Sequence, residues 1–490
     1  MKKQSNAWFS LLIMVTLVSM IISSCAPAAT PTAAAPAATQ APAATQAPAA
    51  TQAPAATQPP AATQPPAATV APPAAAPVHI TMWFDTGGNA DTAKCMMDQV
   101  AGNWNKKHPD IQVDGTLQAN AWDATRTAVA GGGGPDIVYT PGPSFVFTMA
   151  KAGQLLALDD YASKLNWDKQ FLPWALALGK VDGKLYSLPN EVETMVLYYN
   201  KTVFDANGWK PPTTIDEYLK LVDQIKAAGL IPNAAGNSDW KPADEHYWTA
   251  FVNGIVGSQG VYDALTGKKK WTDPEFANAI DTMNKLFLNK DFMGGLDRYY
   301  TTSSDQFLVA LGDGKAAMAP SGTWWMGSIG NYFGDKAGNK NDWDWVPFPT
   351  TDGKTVFPLG IGSTYSINAA TKYPEQAAEF LTYYFSVEGD SIAISQCGLA
   401  PAPINIKATD LPGVDARRAR LIENLNTAAG QGNYGYTTWT FWPPKSDTYI
   451  YTDIEKVWAG TETTQQYLSG LQTLFDQEAA AGNIPPIPVR

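Results

Sequence analysis

The stretch Leu188-Pro-Asn-Glu-Val-Glu-Thr-Met-Val-Leu-Tyr-Tyr-Asn-Lys201 constrains the fold of this chain more than any other. It opens as a Pro-bounded polar segment with two carboxylates, Glu191 and Glu193. Six residues rich in β-branched, apolar and aromatic side chains follow, Thr194 to Tyr199, and predict a buried strand. At 490 residues the chain is too long for a single hydrophobic core, so two or more lobes are expected. A polar elbow that runs straight into a new apolar strand suits a chain leaving one lobe and entering another. An ordinary strand with a solvated approach loop is the plainer alternative.

The N-terminus is a different kind of sequence. Lys2 and Lys3 precede an apolar run, Ala7 to Ile22, that ends in Ile22-Ser-Ser-Cys25. This is the pattern of a lipoprotein export signal, too short for a membrane span, with residues 1–24 removed and Cys25 lipidated. A signal cleaved elsewhere and an uncleaved anchor are the alternatives. From Ala26 to Pro77 the chain is almost entirely Ala, Pro, Thr and Gln, with six hexads between Ala37 and Pro72. Proline at this density blocks helices and removes donors, and nothing here can build a core. Residues 25–77 are therefore expected to be a tether, semi-extended at up to ~3.1 Å per residue.

Folding is predicted to begin at Val78. A first strand, Val78 to Phe84, ends at Asp85-Thr-Gly-Gly88. A helix follows with Met96, Val100 and Trp104 on one face, then a strand from Ile111 to Leu117. A second helix carries Trp122, Arg126 and Val129, and Gly131 to Gly134 end it before Pro135-Asp-Ile-Val-Tyr-Thr-Pro-Gly142. The order β-α-β-α-β implies a parallel sheet that takes ligands at its strand C-termini. The four glycines do not make a phosphate loop, because no Gly-Lys-Ser/Thr follows them. Beyond Lys201, Thr214-x-x-Glu217 is a capping box and Gly229 closes its helix, while Asp273-Pro274 opens another. Ala316 to Trp325 reads as a strand that stops at a Gly turn displaying two indoles. Gly360 to Asn368 reads as one later strand, and Pro374 opens a helix.

Charge narrows the partners. The net charge is −11, and loss of Lys2 and Lys3 with the leader leaves the remainder near −13. Such a surface repels nucleic acid and anionic lipid, whereas an uncharged ligand fits it. Seventeen Trp and 20 Tyr supply rings for core, interface or stacking. With Cys25 set aside, Cys95 and Cys397 remain; they form a disulfide or pack as two separate buried thiols. His79, His108 and His246 show no zinc spacing, no metal or cofactor is expected, and no Gly-x-Ser-x-Gly elbow occurs.

Several short motifs stand in a characteristic order: Trp83-Phe-Asp85, Gly134-Pro-Asp-Ile-Val138, Gly153-Gln-Leu-Leu-Ala-Leu-Asp159, Gly183-Lys-Leu-Tyr-Ser-Leu-Pro189, Tyr199-Asn-Lys201, Gly314-Lys-Ala-Ala-Met318, Ser321-Gly-Thr-Trp324, Glu375-Gln-Ala-Ala-Glu-Phe-Leu381 and Gly398-Leu-Ala-Pro401. In this order, from Val78 to about Pro486, they resemble the family 1 extracellular solute-binding proteins of ABC sugar importers. The resemblance implies an α/β, two-lobe periplasmic-binding-protein-like fold of type II, its hinged lobes each a central sheet flanked by helices. It assigns 78–191 and 360–430 to the N-terminal lobe, and 192–359 and 431–490 to the C-terminal lobe. Crossings would fall near Glu191–Glu193, Pro358–Gly360 and Gly430–Tyr434. Cys95 and Cys397 then share a lobe.

Matched position by position, the resemblance makes Asp85 a partner of sugar hydroxyls and Thr140 the ligand-facing end of the third strand. Relatives often carry an indole where this chain has Thr140, which leaves stacking there to Trp122. Glu193 becomes the crossing carboxylate, Trp324 the indole after the Gly-x-Trp turn, and Trp442 the aromatic before the last helices. Trp240 and Trp248 complete the expected set. Flat indoles cover the C–H faces of a sugar, and carboxylates take its hydroxyls in charge-assisted bonds. Arg126 and Arg298 would matter only for an anionic ligand. The expected function is capture of a neutral mono- or oligosaccharide, with no catalysis, and delivery to an ABC permease. A monomer is expected, exported and held by lipidated Cys25 on the outer face of the cytoplasmic membrane, or in the periplasm. A surface carbohydrate sensor or adhesin on the same fold is the alternative. A secreted glycoside hydrolase is a further one, although paired acids on one strand do not flank a scissile bond.

Overall fold

The computed structural model describes residues 76–488 except 87–89, 120 and 412. The signal, Cys25 and nearly all of the tether lie outside the described residues. Strands β1 (Val78–Asp85), β2 (Ile111–Gln118) and β3 (Ile137–Thr140) alternate with helices, and β1 lies parallel to both of the others. The first helical segment, Ala90–Lys107, includes a π turn at Met96–Ala101 and buries Met96, Val100 and Trp104, the stripe anticipated from spacing. Helix Ala121–Ala130 ends in the glycines: Gly132 and Gly134 have φ of 80° and 90°, which a side chain would disfavour.

A hairpin, β4 (Lys180–Val181) and β5 (Lys184–Leu185), leads to β6 (Leu188–Pro189), β7 (Val192–Glu193) and β8 (Met195–Asn200). Every residue of β8 is buried, and Asn200 caps the next helix by accepting from the Val203 N–H. The remaining strands are β9 (Ile231–Asn233), β10 (Ala316–Gly322), β11 (Trp343–Pro347), β12 (Phe357–Ile361), β13 (Thr364–Ile367) and β14 (Tyr434–Tyr436). They form two large sheets, ordered β2-β1-β3-β13-β6 and β11-β8-β10-β9. Each large sheet has its own apolar cluster. Ile80, Met82, Ile367 and Phe380 belong to one, and Leu197, Phe251, Met283 and Met318 to the other. The result is a two-lobe α/β fold.

A third, three-stranded sheet, β14-β12-β7, draws together the segments anticipated as crossings. Gly360 pairs with Glu193, and Pro358 pairs with Gly435. The single strand expected over Gly360–Asn368 is two strands. The chain leaves β12 at Ile361, turns at Gly362 and Ser363, and joins β13 in a different sheet. That break is tertiary in origin: the Gly362 N–H donates to the Glu191 carbonyl at 2.9 Å, and the Ser363 carbonyl accepts from the Asn190 N–H at 2.8 Å.

The helix signals read correctly, with one refinement. Thr214 and Glu217 form both halves of the capping box, and Ile215, Val222 and Ile225 are buried. Asp273 holds the N-cap position before Pro274, yet its carboxylate accepts from the Lys270 N–H rather than from the helix. Cys95 and Cys397 form a disulfide across 302 residues of sequence. Among the described residues no helix is long and apolar enough to cross a membrane.

Candidate functional site

Where the three-stranded sheet joins the large ones, the chain surrounds a cavity of about 270 Å³. One wall comes from the first sheet and its helices, through Phe84, Asp85, Met96, Tyr139 and Tyr365. The other comes from the second, through Glu245, His246, Ser321, Trp324 and Trp439. Parallel strands β1 and β3 deliver Asp85 and Tyr139 at their C-terminal ends, where an open α/β sheet presents ligands.

Glu193 enters from β7. It is 7% exposed, and the position that a Gly362 side chain would occupy lies 2.0 Å from its Cδ, so only glycine leaves room for the carboxylate. Burial raises its pKa well above the usual carboxylate range, and the charge of Glu191 adds to the shift. Among the described residues its carboxylate has no hydrogen-bond partner. Glu191 is better provided for. It accepts from the Ser363 hydroxyl at 2.8 Å and from the Asn190 amide at 3.2 Å. Burial still lifts it to about 7, against the lowering effect of those bonds.

Helix Asp244–Val256 sets Glu245 and His246 against the opposite wall. Glu245 is raised by burial and by the nearby charges of Asp447, Asp244 and Glu193. Burial alone lowers His246 to about 3, so its ring is neutral. That ring lies 4.3 Å from Trp324, which meets Trp439 edge-on at 6.2 Å. The Trp439 indole N–H has no protein acceptor among the described residues. A site of flat rings and acceptor oxygens can stack on the C–H faces of a polyhydroxylated ligand and bond its edges.

Of the eight residues anticipated from sequence, Asp85, Glu193, Trp240 and Trp324 line this cavity, with Trp240 at the rim and 40% exposed. The other four do not. Trp442 (0% exposed) and Trp248 (1%) are centroids 5.5 Å apart in an aromatic core with Trp271, sealed from the cavity. Trp122 packs on Phe145 at 5.1 Å, with Arg126 over its ring. Thr140 is wholly buried and hydrogen-bonds the Thr364 hydroxyl and the Gly142 carbonyl, tying β3 to β13. Arg126 pairs with Asp123 on the surface, and Arg298 is exposed; neither lines the cavity.

Sequence reading chose Trp442 and missed Trp439. Both lie at the one-turn helix Thr438–Phe441, and a shift of three residues there exchanges cavity for core. It also missed Glu245 and His246, which precede the anticipated Trp248 on the same helix. Nothing local marks them, since their role depends on how the helix is rotated against β10.

Residues 89–390 match the family model of the bacterial extracellular solute-binding protein. The multiple sugar-binding protein of Streptococcus mutans is 27% identical over 319 residues, 61% of this chain and 72% of that protein. A probable sugar-binding periplasmic protein of Mesorhizobium japonicum is 27% identical over 386 residues, 77% of this chain and 87% of that protein. Among solved structures, a chitin oligosaccharide binding protein superposes with a TM-score of 0.68 at 20% identity, covering 83% of this chain and 100% of that one. A solute-binding protein in complex with raffinose gives 0.63 at 22% identity, covering 82% and 99%. At these identities the two structures establish a shared fold.

Proposed function

The chain belongs to the bacterial extracellular solute-binding protein family, and from that premise we propose that it captures a sugar in the cavity at Glu193 and delivers it unchanged to an ABC permease. One observation carries this reading: Trp240, Trp324 and Trp439 share a single cavity with Asp85, Glu191, Glu193 and Glu245. Rings for the faces of a sugar and oxygens for its edge are what such a ligand needs. The names of the relatives, sugar-binding proteins from two bacteria, point to the same class of ligand.

Residues 78–191 and 360–430 make one hinged lobe, and 192–359 with 431–490 the other. The lobes turn about the ribbon β14-β12-β7, and the permease recognises the closed form. The protein acts as a monomer without catalysis. It is exported and held by lipidated Cys25 on the outer face of the cytoplasmic membrane, and residues 25–77 keep it clear of the lipid.

A panel of mono- and oligosaccharides read by thermal shift tests capture. The expected result is saturable stabilisation by at least one sugar, recovered intact from the mixture. Hydrolysis products would point to a glycosidase, and no stabilisation by any sugar would contradict the reading. For the anchor, a Cys25→Ser variant is expected to appear in the medium rather than in the membrane fraction.

A further inference from the structure

The cavity is more acidic than capture of a neutral sugar requires. Asp85, Glu191, Glu193, Asp239 and Glu245 line it, and the described lining residues include no Lys or Arg. His246 offers no charge, because burial keeps its ring neutral. Three of the acids are already engaged. Asp85 accepts from the Ala121 N–H at 3.3 Å. Asp239 accepts from the Ser304 N–H at 2.9 Å and from its hydroxyl at 3.1 Å, and Glu191 accepts from Ser363 and Asn190. Glu193 has no such partner although it is more than nine-tenths buried. Glu245, 4% exposed, faces the carboxyl of Asp447 and, at 3.8 Å, the neutral His246 ring.

From this geometry we infer that the captured saccharide carries a basic nitrogen, as an amino sugar or aminated oligosaccharide, and that Glu193 receives its ammonium group. The inference rests on the sugar reading above and adds the charge of the ligand. An unpartnered carboxylate in a site that sheds water on closure must hold a proton or meet a cation. Sugar hydroxyls meet Glu193 as a protonated, neutral carboxyl. An ammonium group lets it ionise and accept a charge-assisted hydrogen bond, and the neighbouring indole attracts the same cation. Trp439 stands close by: a side chain on Gly360, the residue paired with Glu193, would lie 3.0 Å from its Nε1. A metal ion is a poor occupant, since among the described residues no three acidic, His or Cys side chains are grouped to hold one.

Burial raises Glu193 and Glu245, so an incoming ammonium that favours their ionised forms is expected to release protons to solvent. Calorimetry at pH 6 with matched pairs tests this: D-glucosamine against D-glucose, D-galactosamine against D-galactose, and chitosan di- and trisaccharides against cellobiose and cellotriose. The expected result is that an amino member binds at least about ten-fold tighter than its neutral partner, about 1.4 kcal/mol. The heat should vary with the ionisation enthalpy of the buffer and report proton release. Glu193→Gln should abolish the preference with the circular dichroism melt retained; if that variant does not fold, the wild-type pairs decide alone. A neutral member that binds as tightly, or a preference that survives Glu193→Gln, overturns the inference. Binding of neutral sugars alone overturns it too and leaves sugar capture standing. Binding of spermidine with no saccharide bound contradicts the sugar reading itself.

Discussion

Trp439 and Trp442 stand three residues apart with opposite duties. Trp439→Phe keeps a ring and removes an N–H that has no protein acceptor, so saccharide affinity should fall by about 1 kcal/mol with stability unchanged. Trp442→Ala should cost about 3–5 kcal/mol of stability in denaturant melts and leave the folded fraction able to bind. The buried carboxyls make a second prediction. Glu191 and Asp447 titrate near 7 in the folded protein, against 4.5 and 3.8 when unperturbed. Between those limits the folded state holds protons that the unfolded chain has lost, so stability falls as pH rises. The slope is about 1.4 kcal/mol per pH unit for each such carboxyl. The melting temperature should therefore climb on acidification from pH 7.5 to 5.5, and Glu191→Gln should flatten the climb. A flat wild-type profile would refute the protonated site. Of these residues the sequence exposed Glu193 and Trp324, which sit beside recognisable turns. Glu245 and Trp439 stayed hidden because their orientation is set by packing between distant segments.

The element that matters most is the ribbon β14-β12-β7, with the turn at Gly362 beside it. A methyl group on Gly362 would overlap the Glu193 carboxylate, the free end of a flexible side chain. Gly362→Ala should thus displace Glu193 and weaken saccharide binding about ten-fold, while the melting temperature moves by only a few degrees. Affinity unchanged in that variant would mean that Glu193 does not touch the ligand. The elbow Leu188–Lys201, which carries the chain from β6 in one large sheet to β8 in the other, was readable because its polar-to-apolar switch is written locally. The break at Gly362-Ser363 was not, because Ile361 before it and Thr364 to Ile367 after it read together as one strand. The chain turns only where Glu191 and Asn190 supply partners from 170 residues upstream.

Length called for more than one lobe, and the parallel order of β2, β1 and β3 and the helix stripes followed from periodicity, whereas the antiparallel place of β13 in that sheet did not. The closure of Cys95 on Cys397 did not, since two lone cysteines fit either state. Joining points 302 residues apart, the bond removes much freedom from the unfolded chain. Cys397→Ser should lower stability by about 2–5 kcal/mol, measured by chemical denaturation. The central claim concerns the cavity, and calorimetric titration of a saccharide panel into the wild-type protein and Trp324→Ala tests it most directly. At least one saccharide should bind the wild type saturably, at one site per chain, and bind Trp324→Ala ten-fold or more weakly with the fold intact. Equal affinity in the two proteins, or no saccharide bound by either, would contradict the account.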